Sequence, residues 1–353
     1  MAKGKSPGFP YRLSWMDRFF DWVERLPIPY FVFYILSYLA LVLLQHILLW
    51  LDGTLPVGET APIIFAQNVW FIFIAAVWHF LRKTASYALD RFRPALQISD
   101  REFANLKFRF THLSARTGWI LIVIGLGFML MIFFTIFSAA SDYLGPLFFS
   151  PYTTYLTLIF GLLIMSFNLG SFYTLFRTLF NINKIYAQVK RINLFNLTPL
   201  YALSSFTSRV GMIFVAFLLI NLISAPLYGG SEAGSIGLFY ILFNGLLAVL
   251  AFVLPLLGIH RRLGDAKEHA VEANNDLIES GFAKMQALVK KGKHDDVPKL
   301  RASNSALLEY RQELSKISTW PWDGATLRTF VTAMAVPMIV WGVQQFLQRT
   351  LIQ

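Results

Sequence analysis

Long apolar runs alternate with polar segments along the chain. Crossing about 30 Å of hydrocarbon takes roughly 20 helical residues, and seven stretches of the sequence are long and apolar enough to do so. They cover residues 30–51, 61–81, 117–140, 153–176, 210–227, 236–258 and 329–348. None of these stretches contains Asp, Glu, Lys or Arg. The pattern therefore predicts an all-α, polytopic membrane protein with seven transmembrane helices.

The segment before the first span has a different helical pattern. Phe19, Trp22 and Val23 recur at helical spacing, charged residues occupy the other side, and Pro27 ends the pattern. This is the composition of an amphipathic helix in the headgroup layer, with Trp22 as an interfacial anchor. A solvated tail is the alternative. Residues 1–29 are accordingly predicted to form a cytoplasmic or interfacial domain.

Residues 259–318, between the last two spans, are polar but keep an apolar periodicity. The first half carries apolar or small residues spaced alternately by four and three, as in a coiled coil: Ile259, Leu263, Ala266, Ala270, Ala273 and Leu277. A second pattern follows the turn ahead of Pro298. We expect an antiparallel helical hairpin, attached to six spans with cytoplasmic helical extensions (30–258).

The last part of the chain, residues 319–353, contains the seventh span and a short tail. It opens with the sequence Trp320-Pro321-Trp322-Asp323-Gly324. Tryptophan is enriched at the headgroup level of membrane proteins, so Trp320 and Trp322 are predicted to anchor the base of this helix. Pro321 and Gly324 would redirect the chain into the membrane.

Composition agrees with lipid as the solvent of most of the chain. The 353 residues are 56% hydrophobic and only 14% charged, whereas soluble domains carry about 25% charged residues. Disorder is excluded, because disordered chains are poor in apolar residues. The absence of Cys excludes disulfides, thiolate nucleophiles and cysteine-ligated metals.

The net charge of +11 indicates either nucleic-acid binding or membrane topology. Thirty of the 31 Lys and Arg residues fall in the N-terminal segment and in alternate loops. By the positive-inside rule, the N-terminus is then cytoplasmic and the C-terminus outside. Anionic lipid of the inner leaflet is a sufficient partner for the basic side. No nucleic-acid partner is predicted, and the plasma membrane is the expected location.

The sequence lacks recognisable catalytic and cofactor-binding motifs. The zinc-protease, phosphate-loop and serine-hydrolase patterns do not occur. His79, His112 and His260 lie near the cytoplasmic ends of spans, where we expect their polar tips to point toward water. No catalytic residue, metal ligand or cofactor is predicted, and the chain is not expected to be an enzyme.

The seventh span differs from the others in having one small or polar face from end to end. Its members recur every three or four residues: Thr326, Thr329, Ala333, Pro337, Val340, Gln344 and Gln348. Such a stripe suits the wall of a water-filled path, with Val340 as an apolar constriction. In the alternative interpretation, the two Thr cap the helix and the Gln side chains reach the outer headgroups.

Seven spans, short outer loops, long cytoplasmic helices and a divided last helix together resemble the insect odorant and gustatory receptor superfamily. Gln345-Phe346 matches the end of that family's motif on the last helix, whereas Met338-Ile339 stands where the family has Thr-Tyr. The resemblance implies a ligand-gated ion channel with a small-molecule ligand. It also implies a homo-oligomer that assembles through its cytoplasmic helices, with the last helix lining the pore.

A second hypothesis concerns the same hairpin. The chain would be a membrane scaffold or sensor that docks a cytoplasmic partner on residues 259–318 and transports nothing. The two hypotheses differ in what covers the hairpin, which is a second copy of the chain in the first and another protein in the second.

Overall fold

The computed structural model describes residues 10–139, 151–189, 192–224, 235–292 and 295–351. Within these ranges the regular structure is helical, with a short antiparallel bridge between Leu13 and Ser114. The α-helices are α1 Trp15–Glu24, α2 Tyr30–Leu51, α3 Pro62–Phe92, α4 Asp100–Thr111, α5 Ala115–Ala139, α6 Pro151–Ala187, α7 Thr198–Ser224, α8 Ser235–Val253, α9 Leu257–Lys290, α10 Val297–Lys316 and α11 Gly324–Leu351. The all-α prediction is confirmed.

Six helical stretches in the described part of the chain are long and apolar enough to cross a membrane. They include α2, α3, α6, α7 and α11, and the run in which α8 continues into α9 through a 3-10 turn. The apolar part of α5, Ala115–Met131, is shorter. The chain is thus an integral membrane protein with six or seven apolar helices. Residues 140 and 225–227, at the ends of two predicted spans, lie outside the described residues.

Several helices extend beyond the predicted apolar spans. α3 runs to Phe92, α6 runs to Ala187 and α7 begins at Thr198. Between α3 and α5, Ser99 begins α4 with a complete capping box, because its hydroxyl accepts from the Glu102 backbone N–H and its own N–H donates to the Glu102 carboxylate. Donation from the Ser99 backbone N–H and from the Ser99 hydroxyl to the carboxylate lowers the pKa of Glu102. Ser99-Asp-Arg-Glu102 has the spacing of a capping box, so the sequence itself predicts a helix that begins here.

The largest buried cluster among the described residues includes these extended helix ends and continues into the predicted spans of α7, α8 and α11. Leu89 and Phe92 of α3, Ile182 of α6, Leu203 of α7 and Leu263 of α9 are all fully buried in it. Water drives apolar side chains together, whereas lipid tails do not. The densest packing is therefore expected at the end of the bundle that leaves the hydrocarbon.

α9 and α10 pack side by side and run in opposite directions. Lys267 Nζ donates to the Ser315 carbonyl (2.7 Å), while Asn274 Nδ2 donates to the Leu307 carbonyl (2.9 Å). Further along, Gly281 lies so close to Asn304 that a side chain at 281 would overlap its amide. Glycine at this position permits the close approach of the two helices.

The heptad interpretation misplaced two residues of α9. It put Ala273 and Leu277 on the shared face, but both are exposed, whereas Asn274 and Ile278 are buried. The physical reason is that a straight helix has 3.6 residues per turn, so a 3.5-residue pattern drifts around its surface. An apolar edge of α9 is consequently left uncovered by α10.

Single-cysteine variants test the topology, and the chain offers a cysteine-free background. We expect an impermeant maleimide to label Val57→Cys on intact cells, because this 83% exposed side chain lies in a predicted outer loop. Arg101→Cys and Arg301→Cys should be labelled only after permeabilisation. If α5 does not cross the membrane, Arg101→Cys and Arg301→Cys will lie on opposite sides, which would contradict seven spans.

Candidate functional site

α11 packs on the rest of the chain along one side only. Phe330 is buried against Phe252, with 4.6 Å between the ring centroids. Pro337 is also buried, and Gln344 Nε2 donates to the Leu222 carbonyl of α7 at 3.1 Å. The contacts hold α11 against α7 and α8 from its base to near its far end.

The predicted polar stripe is divided between this packed side and the outer side of α11. Pro337 and Gln344 belong to the packed side. Thr329 is exposed, while Ala333 and Val340 are half-buried. Thr326 is also half-buried, and the side chain of Gln348 lies outside the described residues. The described members of the stripe therefore range from buried against the rest of the chain to exposed.

The cap of α11 is Asp323 instead of either threonine. Asp323 Oδ1 accepts from the Thr326 backbone N–H at 2.7 Å. Hydrogen bonds from the Thr326 side chain and backbone lower the pKa of Asp323, so this carboxylate is charged at neutral pH. A negative charge at the N-terminus of a helix is stabilised by the helix dipole.

Aromatic rings connect the base of α11 to the beginning of α9. Trp320 and Trp322 stack at 4.3 Å with their planes 15° apart. Trp320 also stacks on His260 (4.0 Å), and Trp322 contacts Phe252 (5.1 Å). Both tryptophans are half-buried, and neighbouring rings cover much of the surface of each. Their anchoring role at the headgroups stays a prediction.

α1 is attached to the bundle through a buried polar network. Ser14 caps the helix, and Asp17 is fully buried behind it. Asp17 Oδ2 accepts from the Leu113 backbone N–H (2.9 Å) and from the Ser14 hydroxyl (2.6 Å). Burial raises the pKa of Asp17, and the bond from Ser14 opposes this effect. Arg82 of α3 donates to the Asp17 carbonyl (3.1 Å) and pairs with the Asp21 carboxylate.

His79 lies at the centre of this network. Its Nε2 is 3.0 Å from Glu24 of α1, and its Nδ1 is 3.1 Å from the Tyr34 hydroxyl of α2. The imidazole is fully buried, with the Tyr30 ring 4.7 Å away. The expectation that its polar tip points toward water was wrong, because α1 folds over it. Three helices are thereby joined through one side chain.

The N-terminal helix is oriented differently from the sequence expectation. Met16, Phe20 and Val23 are fully buried by the chain itself, whereas Trp22 is 51% exposed. Trp22 therefore remains available to the headgroup layer. Asp17, which belongs to the charged side of the pattern, faces inward, where its carboxylate accepts from the Leu113 N–H and the Ser14 hydroxyl and lies 3.7 Å from Arg82.

A cleft of about 530 Å³ opens beside this network, between α1, α3 and α4. It is lined by charged groups of both signs, but these largely pair with one another. Lys107 Nζ lies 2.6 Å from Asp90, and Glu24 contacts His79. No group of three or more His, Asp or Glu in the described ranges is placed to hold a metal ion. Because these charges pair with one another, we interpret the cleft as a structural contact between α1, α3 and α4.

The contacts of this network were not predicted from the sequence, although the charged side of α1 was. Asp17, Asp21 and Glu24 recur at helical spacing, and Arg82 follows an apolar span directly. The signal for this contact in the sequence was the row of acidic residues on α1 together with a basic residue at the end of a span. Inside the predicted spans, the buried amides of Gln45 and Asn68 form a hydrogen bond of 2.6 Å between α2 and α3.

Comparisons with models of protein families, with curated proteins and with solved structures found no match. The likeness to the odorant and gustatory receptor superfamily thus rests on sequence architecture and stays a prediction.

Replacing Arg82 tests the attachment of α1. Arg82→Gln leaves Asp17 and Asp21 without their cation, and we expect it to destabilise the protein by about 3 kcal/mol. Lys83→Gln is the matched control, since Lys83 is 49% exposed and exposed pairs contribute at most about 1 kcal/mol. Thermal unfolding in lipid nanodiscs measures both. Equal losses for the two variants would contradict the buried network.

Proposed function

We propose that the chain is one subunit of a homo-oligomeric channel in the plasma membrane, with the α11 helices of several copies around the path. The observation that carries this proposal is how little of α11 its own chain covers. Only 11% of its most apolar stretch is buried, against 50% for α7. A helix at the edge of its own subunit is the one best placed to meet other subunits.

The outer surface of α11 suits contact with another helix. Thr332, Ala335 and Gly342 lie on the exposed side, and nothing approaches within 4 Å of a side chain at 342. Small residues allow membrane helices to approach closely. Ile339 and Phe346, both more than 60% exposed, supply the apolar area beside them.

The exposed side chains of the α9–α10 pair also favour assembly of several copies of the chain. Leu277 and Phe282 of α9 and Leu308 of α10 are exposed, with Leu277 at 59%. These helices lie beyond the predicted spans, so lipid does not cover them. Apolar side chains left in water favour association with another protein surface. In an oligomer they would face further copies of the chain.

The packing narrows the set of pore-lining candidates. Pro337 is buried and Gln344 donates to the Leu222 carbonyl of α7, so we assign both to holding α11 in place. Thr329, Ala333 and Val340 lie toward the uncovered side of the stripe. Where copies of α11 meet, Val340 is the apolar residue that would narrow a path lined by these smaller and polar neighbours.

Substitution at Val340 tests this arrangement by conductance in reconstituted bilayers. Val340→Asn should raise the ionic conductance several-fold, because an amide at an apolar constriction favours hydration. Val331→Asn is the matched control, since Val331 is 58% exposed on the opposite side of α11. A wild-type protein that never conducts, or two variants with equal effects, would contradict the proposal.

A second function fits the exposed residues of the α9–α10 pair specifically. The protein would be a membrane scaffold or sensor that docks a cytoplasmic partner through Leu277, Phe282 and Leu308, without transport. The same exposed apolar side chains of α9 and α10 support both proposals. The proposals differ in whether these side chains meet another copy of this chain or a different protein.

Photo-crosslinking separates the two functions. A crosslinking amino acid at Phe282 should form a dimer of the chain if the channel proposal holds, and an adduct with another protein if the docking proposal holds. The control is the same amino acid at Asp276, an exposed position six residues away and therefore on another side of α9. Equal crosslinking at 276 and 282 would count against both proposals.

A further inference from the structure

A second cleft, of about 240 Å³, opens where α3 and α7 meet the base of α11. It differs from the larger cleft in its chemistry. Its polar lining has two cations, several hydroxyl groups and one carboxylate. The residues that supply them include Arg91, Arg209, Thr84, Tyr201, Ser205 and Asp323.

The two arginines of this cleft form no salt bridge with a described residue. Within the described residues no carboxylate lies within 4.0 Å of either guanidinium. Arg91 reaches only Tyr87 of its own helix, at 3.5 Å from the hydroxyl. Arg209 is half-buried and makes no hydrogen bond to the described residues. A partly buried cation without a partner is costly, so the cleft favours an anion.

Hydroxyl groups next to the arginines add donors for the same anion. Thr84 is buried, while Tyr201 and Ser205 are half-buried. None of their hydroxyls bonds to a described residue. Asp323 contributes the opposing charge, but its Oδ1 is engaged as the cap of α11. With two cations and one carboxylate, the cleft has a net positive charge.

We propose that this cleft binds a phosphate group through Arg91 and Arg209. Guanidinium groups bind the oxygens of phosphate in a bidentate, charge-assisted manner, and the hydroxyls complete the set of donors. The proposal is independent of channel activity. Its consequence is structural, because the ligand would tie α3 and α7 to the first turn of α11 through Thr326, which also lines the cleft.

The cleft lies at the depth where a lipid phosphate is available. Arg209 immediately precedes the predicted span 210–227, and Asp323 lies six residues before the span 329–348. Both positions fall at the headgroup level of the predicted inner leaflet. A soluble phosphate compound from the same side would offer the same chemistry, so the experiment distinguishes the two sources.

The test measures thermal stability in nanodiscs, because a ligand that binds the folded state raises the unfolding temperature. One arm compares discs of phosphatidylcholine alone with discs that also contain phosphatidic acid. The other arm adds inorganic phosphate to phosphatidylcholine discs. We expect stabilisation in at least one arm, and Arg209→Gln and Arg91→Gln should each weaken the apparent affinity about tenfold. Asp323→Asn, which keeps a capping side chain, should strengthen it.

Arg101→Gln is the matched control, since Arg101 is exposed on α4 and lies outside the cleft. Stabilisation by phosphatidic acid alone identifies a lipid headgroup, and stabilisation by inorganic phosphate identifies a soluble ligand. Because Arg91 is exposed, Arg91→Gln provides the test even if Arg209→Gln fails to fold. No stabilisation in either arm, or the same response in Arg91→Gln as in Arg101→Gln, would overturn the proposal.

Discussion

The exclusion of charge from the hydrocarbon is the constraint on which this structure depends. Every long apolar stretch is free of Asp, Glu, Lys and Arg, so each polar contact that needs an ionised partner must form outside it. Within the described residues, the ion pairs of Lys and Arg all lie in segments predicted to be cytoplasmic, such as those of Arg82 with Asp21 and of Lys107 with Asp90. There Arg82 binds α1, and Arg262 of α9 donates to the Tyr186 and Val189 carbonyls at the end of α6. The helices are therefore fixed to one another mainly where they leave the lipid.

The same constraint explains which surfaces remain uncovered. Lipid tails are as apolar as the side chains they contact, so they give a helix such as α11 no hydrophobic reason to bury its outer side against its own chain. The α9–α10 pair is in a different situation, because its exposed Leu277 and Phe282 lie beyond the predicted spans. Water penalises that exposure. We infer that assembly with other copies relieves it, and that the hairpin brings the α11 helices together.

The sequence was a good guide to the helices and a poor guide to what each of them touches. Hydropathy located the apolar helices, and the Ser99 capping box located the beginning of α4, because both signals are local. The attachment of α1 was missed, since an acidic residue such as Asp17 has the same pattern whether it meets water or Arg82. Likewise, the heptad in α9 could not reveal that Gly281 would admit Asn304 and leave Leu277 exposed. Such contacts depend on the partner helix, which a periodicity does not specify.

Assembly is the claim on which the functional account depends, and the number of chains per particle tests it most directly. Native mass spectrometry of the protein released from lipid nanodiscs, without detergent exchange, gives that number. The account predicts a defined complex of several copies that falls apart when Leu277 and Phe282 are both changed to Ser. A wild-type protein that is monomeric at every lipid-to-protein ratio would contradict it.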